Sequence, residues 1–170
     1  MIHEVEGDIL LSRAAVIAHG VAPHDHFASG LALALRERFP AMAKDFRHYC
    51  QVASPKPGTV WQWGGADAGG GSRRIVNLMT QEPSEGPGGL PGKASMPNVN
   101  HALRALAALA EKEGFASIAL PRLATGVGGL DWAQVRPLVQ QHLGSLRLPV
   151  FVYVTYRKGV DAAEKALPVA

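Results

Sequence analysis

At 170 residues, with 47% hydrophobic and 18% charged side chains, the chain has the balance of one folded domain with a sizeable core, which excludes wholesale disorder. A formal charge of +3 and a pI near 9.2 suit an anionic ligand, but no run of Lys or Arg exceeds two residues, so charge does not argue for nucleic acid. Cys50 is the sole cysteine, excluding an internal disulfide and a Cys/His zinc spacing. The opening "MIHEVEGDIL" has neither the basic nor the apolar part of a secretory leader, so a cytoplasmic location without a membrane span is expected.

Residues 2–6 and "AVIAHGV" (15–21) read as short strands, the second apolar throughout and therefore buried on both faces. "SGLALALRERF" (29–39) carries Leu31, Leu35 and Phe39 at helical spacing, and Pro40 ends it or opens the next helix, "AMAKDFRHYCQ". "GTVWQWG" (58–64) and "RIVNLMT" (74–80) read as strands around the turn-rich "GADAGGGS". Between 81 and 97, "QEPSEGPGGLPGKASMP" holds too much Gly and Pro for regular structure. A helix over 98–113 follows from Val99, Leu103, Leu106 and Leu109, with Gly114 as its cap. "ASIALP" is a strand, "WAQVRPLVQQHLG" a helix and "PVFVYVTY" the last strand. The alternation implies an α/β sandwich on a largely parallel sheet. One domain over 1–157 is expected, followed by a dispensable tail over 158–170 with room for a short helix.

Ligands of open α/β sheets sit beyond the carboxyl ends of the strands. Three loops qualify: "HGVAPHDHFASG" (19–30), the 81–97 loop and "ATGVGG" (124–129). The third brings backbone N–H groups close to a ligand at Gly126, Gly128 and Gly129, just before a helix N-terminus, and so suits phosphate; a plain glycine turn is the bland alternative. It is neither GxGxxG after the first strand nor GxxxxGK[ST], which disfavours nicotinamide-dependent enzymes and P-loop NTPases.

"GDIL", "IAHGVAPHDHFASGLALALRERFP", "IVNLMTQ" and "IALPRLATGVGGLDW", in this order over about residues 4–156, together resemble the macrodomain family. The likeness is greatest to its branch of terminal ADP-ribose protein glycohydrolases and DNA ADP-ribosyl hydrolases. The resemblance implies a three-layer α/β/α sandwich with a central, largely parallel mixed sheet and a cleft for ADP-ribose. It implies that Asp8 accepts from the adenine amino group beside Ile9, with Tyr153 or Thr155 near the ring. Phe27, Ala28, Ser29, Gly30 and Leu31 would form a first phosphate loop. Thr125, Gly126, Val127, Gly128, Gly129 and Leu130 would form a second. Neither a cofactor nor a metal is implied; the partner would be ADP-ribose or an ADP-ribosylated protein, and the chain a monomer.

The departures bear on chemistry. Where the branch commonly carries a lysine near the distal ribose, this chain has Gln81, and an amide forms no Schiff base. Gly128 stands where some members place an acid, and Ala22 replaces an asparagine. His24, Asp25 and His26 offer a substitute: either a solvated loop or groups that orient a water toward an ADP-ribosyl ester. Lys93 is either an exposed charge or, between glycines, a side chain able to fold over the cleft. His19 reads as a satisfied core histidine, Asp131 as a helix N-cap and Trp132 as a packing aromatic. Asn77 is expected to reach a ribose hydroxyl, with a backbone contact as the alternative. These features lead to an expected hydrolase of ADP-ribosyl esters on Glu or Asp. The alternatives are a non-catalytic ADP-ribose reader, a phosphatase of ADP-ribose phosphate, or a deacetylase of O-acetyl-ADP-ribose. Action on DNA is disfavoured by the absent lysine and the lack of a basic stripe.

Overall fold

The computed structural model describes residues 1–67, 71–86, 89–165 and 167; the middle of the "GADAGGGS" turn, two positions of the 81–97 loop and the end of the tail lie outside them. In chain order the elements are β1 (Ile2–Gly7), a 3-10 turn (Ile9–Leu11), β2 (Val16–Val21), α1 (Gly30–Arg38), α2 (Pro40–Ala53), β3 (Val60–Ala66) and β4 (Ser72–Met79). They continue with α3 (Met96–Glu113), β5 (Ile118–Pro121), α4 (Trp132–Leu143) and β6 (Val150–Tyr156). The strands form one sheet in the order β1-β6-β5-β2-β4-β3. Every pairing is parallel except β3 against β4. This is the expected three-layer sandwich on a largely parallel mixed sheet.

The layers follow from the alternation of side chains along a strand. On β2, Val16 and Ala18 join the core beneath α3 and α4, while Ile17 and Val21 join the core beneath α1 and α2. Helical spacing supplies the covering stripes: Met42, Phe46 and Cys50 on α2; Val99, Leu103, Leu106 and Ala110 on α3; Val135, Val139 and Leu143 on α4. Each fully buried Val, Leu or Phe contributes about 1.5–3 kcal/mol, so both helical layers are held by their apolar stripes and not by caps alone. Caps nonetheless set the starts. Asp131 accepts from the Ala133 N–H at the head of α4, as read from the sequence, and Ser95 accepts from Asn98 N–H at the head of α3, which begins two residues earlier than expected. Trp132 packs partly buried against the core, in keeping with its sequence reading.

The segment after Arg157 is no loose appendage. Its described residues form no helix, yet they lie across the edge of the fold. Val160 carbonyl accepts from Asp8 N–H at 2.8 Å, and Arg157 N–H donates to Gly7 carbonyl at 3.0 Å. Glu164 is buried and accepts from Ser12 Oγ at 2.6 Å, Arg13 N–H at 2.8 Å and Tyr153 OH at 3.0 Å. A Cβ at Gly7 would come within 2.8 Å of Val160 carbonyl, so β1 ends in glycine because the tail passes directly over it. A dispensable tail is not what these contacts describe.

Candidate functional site

The C-terminal ends of β2, β5 and β6 carry two adjoining hollows, of about 380 and 410 Å³, which share Gly30, Leu31 and Pro121 and so form one groove. β2 has β5 on one side and β4 on the other, placing the groove where the sheet's connections diverge.

The larger hollow is mostly apolar, walled by Ile9, Leu10, Leu31, Tyr153 and Tyr156, with Asp8 among them. Asp8 Oδ1 accepts from Leu10 N–H and Oδ2 from Gly159 N–H, each at 3.0 Å, which fixes the carboxylate's orientation. Burial first, and the neighbouring Glu164 carboxylate with it, pushes the Tyr153 phenol above its ordinary pKa, so it donates as a neutral O–H. Thr155 is exposed and stands outside this lining; Tyr156, which the sequence reading passed over, is in it.

The second hollow brings the two expected phosphate loops face to face. Ala28, Ser29, Gly30 and Leu31 line one side, and Gly126, Val127 and Gly128 the other. Ser29 makes no side-chain cap on α1, leaving that helix's first N–H groups available to an anion. Three residues expected in the second loop lie outside this lining instead. Thr125 Oγ1 donates to Arg122 carbonyl, Gly129 N–H to Gly126 carbonyl and Leu130 N–H to Ala124 carbonyl. They shape the loop.

Several expectations are corrected here. Phe27 does not wall the groove: its φ of 55° turns the ring into the core, centroid 5.0 Å from Phe46 and 5.9 Å from His19. His24 and His26 line a different concavity, on α1 and α2. Asp25 alone of the three lines the groove, and its oxygens accept from Ala22 N–H at 3.0 Å and Phe27 N–H at 2.8 Å. Lys93 is exposed and outside the lining; its backbone carbonyl accepts from Glu82 N–H. Asn77 is wholly buried and holds His19, not a ligand.

Conversely, His19 lines the groove floor. Its Nε2 lies 2.6 Å from Asn77 Oδ1, while Asn77 Nδ2 donates toward Met42 Sδ. An accepting Asn77 Oδ1 makes His19 Nε2 the donor and leaves Nδ1 with a lone pair. Burial lowers the His19 pKa to about 4, against the smaller upward pulls of Asn77 and Asp25, so the ring is neutral at physiological pH. Gln81 also lines the groove, and its Nε2 donates to Gly92 carbonyl at 3.0 Å, tying down the loop above. Arg122 and Pro91 complete this end. The sequence reading of a satisfied core histidine is half the answer: His19 is buried within β2, yet it lines the groove.

Among the described residues, no group of three or more His, Cys, Asp or Glu is placed to hold a metal ion, and no helix is long and apolar enough to cross a membrane. The fold is shared with solved structures. The macrodomain of Thermus aquaticus DarG superposes with a TM-score of 0.76 at 25% identity, over 91% of this chain and 98% of that one. Thermosipho africanus DarTG in complex with ADP-ribose gives 0.77 at 23% identity, over 98% of this chain and 43% of that one. By sequence, a DNA ADP-ribosyl transferase–DNA ADP-ribosyl glycohydrolase fusion protein of Thermosipho africanus is 26% identical over 166 residues, covering 92% of this chain, which spans 42% of that relative's length. A family model, Macro domain, matches residues 19–139, from the groove-floor histidine to the middle of α4, and on that match the chain belongs to the macrodomain family.

Proposed function

We propose that the groove binds ADP-ribose and that the protein hydrolyses ADP-ribosyl esters of acidic side chains. The observation that carries the binding is the pairing of hollows. An apolar recess with a fixed carboxylate suits adenine and its amino group; beside it, two loops present backbone N–H groups on a diphosphate's scale. The distal ribose then meets His19, Asp25 and Gln81. None of these is an amine able to form a Schiff base with the ribose, so the chemistry suits a linkage whose leaving group is already good. A carboxylate is such a group: the groove needs to hold the ester and orient one water, with Asp25 retaining lone pairs to accept its proton.

A second reading takes DNA-linked ADP-ribose as substrate; the name of the Thermosipho africanus relative favours it, and the absence of an ammonium group from the groove lining opposes it. One assay separates the readings: release of ADP-ribose from glutamate-, arginine-, serine- and DNA-linked conjugates in single turnover. Release from the glutamate ester is expected, slowed about 10²–10⁴-fold by Asp25→Asn and little changed by His24→Ala with His26→Ala. Tight binding of ADP-ribose without release from any conjugate would make the protein a reader.

A further inference from the structure

The "HDH" motif is left without a role in the groove, and the structure gives it other surroundings. Behind the 24–27 loop lies a concavity of about 260 Å³ that shares only Asp25 with the adjoining hollow of the groove. His24 and His26 line it from the loop, Arg36 from α1, and Arg47 from α2.

The construction of the loop puts those side chains there. Two non-glycine residues, His24 and Phe27, take left-handed φ angles of 60° and 55°. The turn between them is pinned by Asp25, whose two oxygens accept backbone N–H groups, and by His24 N–H against the buried Cys50 Sγ at 3.4 Å. Phe27 goes to the core as an anchor, and the imidazoles on either side of Asp25 are left facing α1 and α2. Arg36 is already oriented, donating from Nη1 to His26 carbonyl at 3.1 Å. Among the described residues, none makes a hydrogen bond or ion pair with Arg47. Asp25 is the sole acid in the lining, and both of its oxygens are engaged by backbone.

Two guanidinium groups on neighbouring helices, with two imidazoles across from them, present N–H donors around a small volume. Set against the one Asp25 carboxylate, whose oxygens already accept from backbone, the two guanidinium groups leave the lining positive, with more N–H donors than a single carboxylate can take up. We propose that this concavity is a phosphate-dianion site, joined to the groove only at Asp25 and built from its own donors.

The test is a titration with inorganic phosphate at fixed pH and ionic strength, read on the imidazole resonances of His24 and His26 by NMR. Saturable shifts are expected in the wild type, with the dissociation constant raised about tenfold or more in Arg36→Ala with Arg47→Ala. Both arginines are exposed, so the amide spectrum should stay folded; Arg47→Gln alone gives a milder second variant. Phosphate that chose the groove instead would shift the Gly126 and Val127 amides and do so equally in the variants. Shifts of that kind alone, or imidazole shifts that never saturate or survive both substitutions, overturn the proposal. A parallel titration with glycerol 3-phosphate separates two sources: binding as tight as inorganic phosphate assigns the site to phosphomonoesters, and weaker binding assigns it to the free anion.

Discussion

His19 shows how one buried ring couples stability to pH. Its folded pKa is about 4 against 6.5 when free, so between those values the unfolded chain holds a proton that the folded chain does not. Stability therefore rises with pH across that window and is lost as pH falls through it, by on the order of 3 kcal/mol in total. His19→Gln keeps an N–H for Asn77 and removes the titration. Urea midpoints of the variant should lose this part of the slope between pH 4 and 6.5. An unchanged slope would mean that other groups carry it.

At the scale of elements, the 124–130 loop behaves as a single folded piece. Gly128 is packed against its own loop: a Cβ there would lie 2.6 Å from Ala124 carbonyl, so any side chain would distort the turn before meeting a ligand. Gly126 differs. It lines the groove, a Cβ would meet nothing within 4 Å, and its φ is not left-handed. Gly126→Glu should accordingly fold normally and place a carboxylate where a diphosphate would lie, weakening ADP-ribose by about tenfold or more through repulsion in a partly desolvated groove. Calorimetry on both proteins decides, and equal affinity would remove the diphosphate from this loop. The strands and helices were legible in the sequence because their periods are unmixed: β2 reads apolar on both faces, and α3 repeats its leucines at helical spacing. The direction of the 24–27 loop was not legible. Nothing in "HDHF" announces that two residues other than glycine take positive φ, and that twist sends Phe27 inward and both histidines away from the groove. Asn77 misled for a related reason: a polar residue in a buried strand needs a partner, and which partner depends on the neighbouring strand, where His19 stands directly beside it.

For the whole molecule, the tail is the part least visible in the sequence, since a single Glu in "GVDAAEKAL" gives no pattern. Its carboxylate nevertheless satisfies Ser12, Arg13 and Tyr153 together. Glu164→Ala would strand two buried hydroxyls and one partly buried N–H, costing on the order of 2–4 kcal/mol. It would also loosen Tyr153 and, through the neighbouring Gly159 contact, Asp8, both in the apolar hollow. Urea denaturation should show the loss, and ADP-ribose affinity should fall with it; a variant as stable as wild type would reduce the tail to decoration.

The pairing of β1 with β6, in the register Ile2 with Val150, has a consequence for how the molecule comes into being. The first and last strands of this domain lie side by side, and the apolar hollow takes walls from Asp8 and from Tyr153. A nascent chain can therefore assemble β2, β4 and their helices while β1 waits, its edge unsatisfied, for residues nearly a full chain length away. Closing so long a loop comes late and slows folding. The apolar end of the groove is then the last part of this domain to form, and a ribosome-bound chain stalled before β6 should have the 28–31 and 126–128 loops without it.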